Sequence, residues 1–272
     1  TYAPEFEIYL QFDSFRPSVL EKFRGKDLTD VRKKAIDKLN ALNLSTTLVV
    51  VLEKGTNDDE IGEILDYALQ QRCVRGVTFQ PVEIAGRNAS DAQQHKMTLT
   101  EVRQEILNQY PLLDPHDIIP VPCNPDALAM GYILKIGDER IPLTRHIDPA
   151  ILLNNQSRNT IVYEQDKGVQ MQLLDIFSTG ISVDKVKPKV NQLLCCLPEV
   201  CAPDLDYDNL FRIIIMNFMD AYDFDVRAVK KSCVHIVNKD LKLIPFETMN
   251  LFYRDDKIKR LEELKLADAI RF

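Results

Sequence analysis

Apolar and polar residues alternate from Phe6 to Phe12: Phe6, Ile8, Leu10 and Phe12 fall on one side, Glu7, Tyr9 and Gln11 on the other. Period two predicts a strand over 5–12. The spacing then lengthens. Ser18 and Glu21 stand three apart, as in a capping box, and predict a short helix that Gly25 ends. Leu28, Val31, Ala35, Leu39 and Leu42 mark an apolar stripe on a second helix. Residues 45–53, STTLVVVLE, are β-branched and almost unbroken in apolar character, as in a parallel strand covered on both faces. Thr56 and Asp59 repeat the capping spacing, and Ile61, Ile64, Leu65 and Ala68 follow at helical intervals. The stretch GVTFQPVEIAGR returns to strand chemistry at Gly76 and ends in Gln80, Glu83 and Arg87, interrupted by Pro81 and Gly86.

The order β-α-β-α-β, with crossovers long enough for helices, predicts an α/β fold with a parallel sheet. After Arg87 the pattern changes to a polar loop and a helix opened by Thr98 with Glu101. A proline-rich stretch then sets Cys123 in a loop between Pro122 and Asn124. From about residue 150 short helices alternate with strands. The dense run LFRIIIMNFMDAYDFDVRAVKKSCVHIV predicts a core helix rich in Ile, Phe and Met, while KSCVHIV and KLIPFETMNLF flank NKDL as a hairpin. Three regions follow: βα units over 1–90, a connecting loop and helix over 91–150, and an α+β carboxyl-terminal domain over 151–272.

Composition narrows the class. Of 272 residues, 45% are hydrophobic and 28% charged, enough to fill a core. A net charge of −7 gives no basic footprint for nucleic acid, and the densest positive cluster is only Arg227, Lys230 and Lys231. No apolar run approaches the ~20 residues of a membrane span, and the start has no signal-segment pattern; the expected location is the cytoplasm. Six cysteines in such a chain do not form a secreted disulfide framework. Gly55 and Gly86 are solitary, so no glycine-rich phosphate cradle appears.

In parallel α/β sheets ligands gather at the carboxyl ends of the strands. Those ends carry Gln11 and Asp13, then Glu53 and Asn57, then Gln80, Glu83 and Arg87. Taken singly, such residues also cap helices, and Asn57 is placed to cap the helix after it. Three polar tips together predict a ligand site.

The segments IYLQFDSF, FRGKDL, LVVVLEKGTNDDEIGEIL and GVTFQPVEIAGR resemble the later strands of radical S-adenosylmethionine (SAM) enzymes. The order continues with IIPVPC, GYIL, IPLTRHID, FMDAYDFDVRAVKKSCVHIV and LIPFETMNLFYRD, similar to the branch of the tetraether lipid synthase and the archaeal methanopterin methylase. This resemblance implies the second half of a partial (β/α)6 barrel with SAM across the strand tips. A [4Fe–4S] cluster would cleave SAM to a 5′-deoxyadenosyl radical. By position, Gln11 and Asp13 would meet ribose and methionine, Glu53 to Asn57 would border the cofactor, and Gln80 would face the adenine side. Glu83 and Arg87 complete the expected cofactor set. The implied reaction is C–C bond formation or methylation at an unactivated carbon of a lipid or pterin-like substrate. The implied partners are that small molecule and either the missing amino-terminal half or an electron donor.

The family's CxxxCxxC is absent: the cysteines are Cys73, Cys123, Cys195, Cys196, Cys201 and Cys233. The expectation is that the first strands and the cluster loop lie outside this chain, that the chain alone does not cleave SAM, and that its exposed first strand promotes association. The alternative is a non-catalytic or degenerate paralogue that binds a partner or substrate. Cys123, Cys195, Cys196, Cys201, Cys233 and His235 are candidate ligands for an auxiliary cluster, such as related enzymes carry in this part. Two departures stand against it: Glu247 occupies the place of a cysteine in the family's PFC, and PVPCNPDALAM lacks a second cysteine. Simple packing is the other reading of Cys195 and Cys196, and Cys73 at a helix end reads as structural.

Overall fold

The computed structural model describes residues 6–84, 95–121, 124–146, 207–232 and 234–253. Three parallel strands open the chain: β1 (Ile8–Gln11), β2 (Thr46–Leu52) and β3 (Val74–Pro81). They are joined by the helices α1 (Pro17–Arg24), α2 (Thr29–Leu42) and α3 (Ile61–Gln70), and a fourth helix, α4 (Leu99–Gln109), follows β3. Next come β4 (Ile119–Pro120), β5 (Leu128–Ile136) and β6 (Glu139–Pro142). The strand β7 (Leu210–Met216) then inserts between β3 and β5, parallel to β3 and antiparallel to β5. The result is one mixed sheet in the order β1-β2-β3-β7-β5-β4, with β6 paired to β5. The fold is α/β, and among the described residues the sheet is an open path.

Residues 210–216 are a strand where the sequence pattern predicts a helix. Apart from Arg212 the run is apolar throughout and has no decisive period, and the three consecutive isoleucines favour pleated structure. The strand also buries both faces. Phe211, Ile213 and Ile215 join the main core, while Ile214 packs with Leu128, Met130, Tyr132 and Leu134 in a second cluster. Thus β7 draws segments that are distant in sequence into one sheet.

Helices α2, α3 and α4 pack on one face of that sheet. Leu48, Val50, Leu52, Val77 and Phe79 meet Ile36 of α2, Ile61, Ile64, Leu65 and Ala68 of α3, and Val102 and Ile106 of α4. The register Tyr9–Thr47, Thr47–Gly76, Gln11–Val49, Val49–Thr78 and Val51–Gln80 puts these residues on the opposite face. That face is therefore the polar one along β1 to β3.

Some local signals hold and others do not: Thr56 and Asp59 form no capping box, for Thr56 Oγ1 donates to Glu53, Asp59 pairs with Arg16, and α3 begins only at Ile61. Helix α3 buries the predicted stripe, Thr98 and Glu101 form a reciprocal capping box, and Gly25 closes α1 in the left-handed region at φ 77°. The predicted hairpin forms from β8 (His235–Val237) and β9 (Leu243–Pro245). However, α1 begins at Pro17 with Arg16 as an N-cap whose side chain makes no capping bond and pairs with Asp59 instead, so Ser18 and Glu21 form no capping box. In α2 the predicted stripe is rotated: Val31 is 63% exposed and Leu42 51%, while Arg32, Ile36 and Leu39 are buried. No helix of the described residues is long and apolar enough to cross a membrane.

Candidate functional site

Because β1, β2, β3 and β7 run parallel, their carboxyl ends share one rim. At the first tip Asp13 adopts φ 58°, and its side chain has 0% exposure. Its carboxylate accepts from Arg24 Nε at 2.8 Å, Arg24 Nη2 at 2.9 Å and Arg32 Nη2 at 2.9 Å. Gln11 Nε2 at 2.7 Å and the Val51 amide at 3.1 Å complete the set. Burial pushes the carboxyl up, but the bonds from Arg24 and Gln11 and the Arg24 charge outweigh it and hold it below its ordinary value. A buried carboxylate without cationic partners costs several kcal/mol (~3–5). This is why α2 turns Arg32 inward.

At the second tip the buried Glu53 carboxylate pairs with Lys22 and accepts from Thr56 Oγ1 at 2.9 Å. Asn57 makes no helix cap, contrary to its sequence position. Its Nδ2 donates to the Val51 carbonyl at 2.7 Å and the Asp13 carbonyl at 2.9 Å, and its Oδ1 accepts from the Glu53 amide at 3.0 Å. Asn57 thus ties the first tip to the second. The polar groups of both tips are largely satisfied by each other, so they form a rigid frame.

The third tip differs. Gln80 is half-buried at the end of β3, and on the same face the buried Thr78 hydroxyl has no hydrogen-bond partner among the described residues. Both carboxylate oxygens of Glu83 accept from Asn250 Nδ2, at 3.2 and 3.3 Å. Burial lifts the Glu83 carboxyl to about 7; the Asn250 bond opposes this, the Glu247 charge adds to it, Lys96 opposes and Asp220 adds. Arg87 lies outside the described residues.

The fourth tip, at the end of β7, was hidden in the sequence by the helical reading of 210–216. There Asp220 is buried and accepts from Lys96 Nζ at 2.9 Å, the Tyr222 amide at 2.9 Å and the Ile84 amide at 3.2 Å. Lys96 also reaches Asp223 at 2.8 Å. Beside this tip lies a small depression with room for about one water, lined by Asn124, Met216, Asn217, Phe218, Ser232 and Glu247 among others. Asn124 is 2% exposed, and the Oδ1 atoms of Asn124 and Asn217 have no partner among the described residues. The buried Glu247 carboxylate accepts from Ser232 Oγ at 2.9 Å. In the sequence Glu247 stands out only by resemblance, at the place of the family's PFC cysteine, and no local pattern joins it to this tip.

The candidate cluster ligands Cys123, Cys195, Cys196, Cys201 and Cys233 lie outside the described residues. His235 is exposed on β8. Among the described residues no group of three or more His, Cys, Asp or Glu is arranged to hold a metal ion. Cys73 is buried in the main core, where burial pushes its thiol up, as suits a packing residue.

No family model matches the chain. The chain is 27% identical, over an alignment of 304 residues, to a 7,8-dihydro-6-hydroxymethylpterin dimethyltransferase of Methanocaldococcus jannaschii. The alignment covers 97% of this chain and 60% of that protein, so the chain spans about 60% of the length of the curated relative it matches.

Proposed function

We propose that this chain contributes the SAM-binding strand tips of a radical SAM enzyme that methylates an unactivated carbon of a pterin-like small molecule. The observation that carries this reading is the likeness to the pterin dimethyltransferase, which runs over 97% of the chain. The arrangement of the sheet supports it. Parallel strands with helices on one face and polar residues on the other suit the later half of a partial (β/α)6 barrel, with its interior on the polar side.

The residues present fit SAM. Thr78 offers a buried hydroxyl without a partner, and Gln80 offers an amide beside it on the polar face. These groups match the hydrogen-bonding edges of adenine and ribose. Asp13 and Asn57 hold the rim rigid from behind, and Glu53 borders it. Arg87 belongs to the same proposed set. Bound SAM, once reductively cleaved, supplies the 5′-deoxyadenosyl radical that takes hydrogen from carbon. The described residues do not fit the [4Fe–4S] cluster that cleavage needs: the chain has no CxxxCxxC, and Cys73 is buried in the core. The role assigned to this chain is therefore to bind and orient cofactor and substrate and to keep water from them.

Equilibrium dialysis with labelled SAM tests the reading. The protein is expected to retain SAM, and Gln80→Ala to weaken retention about tenfold, the loss of one hydrogen bond to the ligand. No retention by the unaltered protein, or equal retention by the variant, would remove the assignment.

A further inference from the structure

We propose that the water-sized depression at the end of β7 holds a monovalent cation of about potassium's size, coordinated by the Glu247 carboxylate and the Oδ1 atoms of Asn124 and Asn217. The inference is independent of the cofactor assigned to the strand tips.

The first observation is a shortage of donors. Glu247 is 3% exposed and accepts one hydrogen bond, from Ser232 Oγ at 2.9 Å. The same hydroxyl lies 3.1 Å from the Val234 carbonyl oxygen, and its one proton cannot serve both acceptors at once. No cation pairs with Glu247 among the described residues. Lys96, at the same end of β7, is taken by Asp220 and Asp223. Asn124, at 2% exposure, and Asn217 add amide oxygens without a partner among the described residues. All three residues line the same depression. Buried charges are paired or bind metal ions, and buried acceptors without donors call for an ion or a water.

Charge and size choose between those two. A water brings two donors and no charge, so it leaves the carboxylate uncompensated. A cation meets all three oxygens at once, and one carboxylate balances one positive charge. Calcium takes roughly six to eight oxygens, and magnesium demands an octahedral set, which three protein oxygens in so small a space do not supply. Among the described residues no trio of His, Cys, Asp or Glu converges to hold a metal. Amide oxygens with a single carboxylate suit an alkali cation, whose water shell such oxygens replace.

The third observation is rigidity. Backbone bonds pin the segments that carry the ligands: the Asn217 amide donates to the Ala127 carbonyl at 2.8 Å, the Leu128 amide to that of Asn124 at 2.9 Å, and the Phe246 amide to that of Val234 at 2.9 Å. Phe218, which lines the depression with Met216 and Val234, is braced by Phe246 at a centroid distance of 4.5 Å. These apolar neighbours keep the local dielectric low and so strengthen the attraction between ion and carboxylate.

Thermal unfolding in potassium chloride and in choline chloride at equal concentration tests the site, because choline is too large for it. Potassium at about 100 mM should raise the melting temperature of the unaltered protein by about 2–4 °C, and the rise should level off as one site fills. Glu247→Gln keeps the shape and removes the charge, while Asn217→Ala removes one oxygen; each should lose most of the rise. Equal melting temperatures of the unaltered protein in the two salts would overturn the site and leave the depression to a water. A rise that either variant retains in full would overturn it as well. If Glu247→Gln does not fold, Asn217→Ala decides.

Discussion

Glu83 shows how far neighbours set the chemistry of one residue. Burial lifts its carboxyl from 4.5 to about 7, with Asn250 and Lys96 opposing and Glu247 and Asp220 adding. A folded-state value above the unfolded one favours folding at low pH, and that contribution is lost as pH rises through about 7. Glu83→Gln keeps the shape and stays neutral. Urea unfolding at about pH 5 and about pH 8 should therefore show the variant gaining stability relative to the unaltered protein at the higher pH; an equal difference at both would refute the shift. The sequence exposed Glu83 as a polar group at a strand end, but not Asn250 and Glu247, which reach it from the far end of the chain. Arg32 was equally hidden. Its helix offered Val31 as the inward residue, yet the demand of the buried Asp13 carboxylate for a second guanidinium outweighs the burial of one valine.

Elements written in local chemistry were legible. Helix α3 has four apolar residues at helical spacing, α4 has its capping box, and the hairpin of β8 and β9 has turn residues between two short runs. Strand β7 was not, because an apolar run is equally at home in a buried helix and a central strand. Its neighbour leaves one trace, at Gly76. A Cβ there would stand 2.8 Å from the Arg212 carbonyl oxygen and 3.0 Å from the Arg212 Cβ. Both are parts of β7 that cannot move without breaking the pairing of Gly76 with Arg212. Gly76→Ala should cost about 1–3 kcal/mol as overpacking, measured as a fall in melting temperature. An unchanged melting temperature would mean that β3 and β7 are not this close.

Over the whole molecule, the βαβαβ beginning predicted the α/β class and the polar rim, since both follow from patterns within one stretch of chain. The joining of β7 to β3 depends on contacts between segments far apart in sequence, which no local period encodes. It sets the end of β7, with the buried Asp220, beside the rim of β1 to β3. Under the proposed function the cofactor lies across the tips of β1 to β3, with Asp13, Asn57 and Arg32 as the rigid frame beneath it. Hydrogen–deuterium exchange with and without SAM tests this most directly. Saturating SAM is predicted to slow exchange in residues 12–16, 53–57 and 82–84, the segments that follow β1, β2 and β3, and to leave the β8–β9 hairpin unchanged. Protection confined to the hairpin, or no protection at saturation, would contradict it.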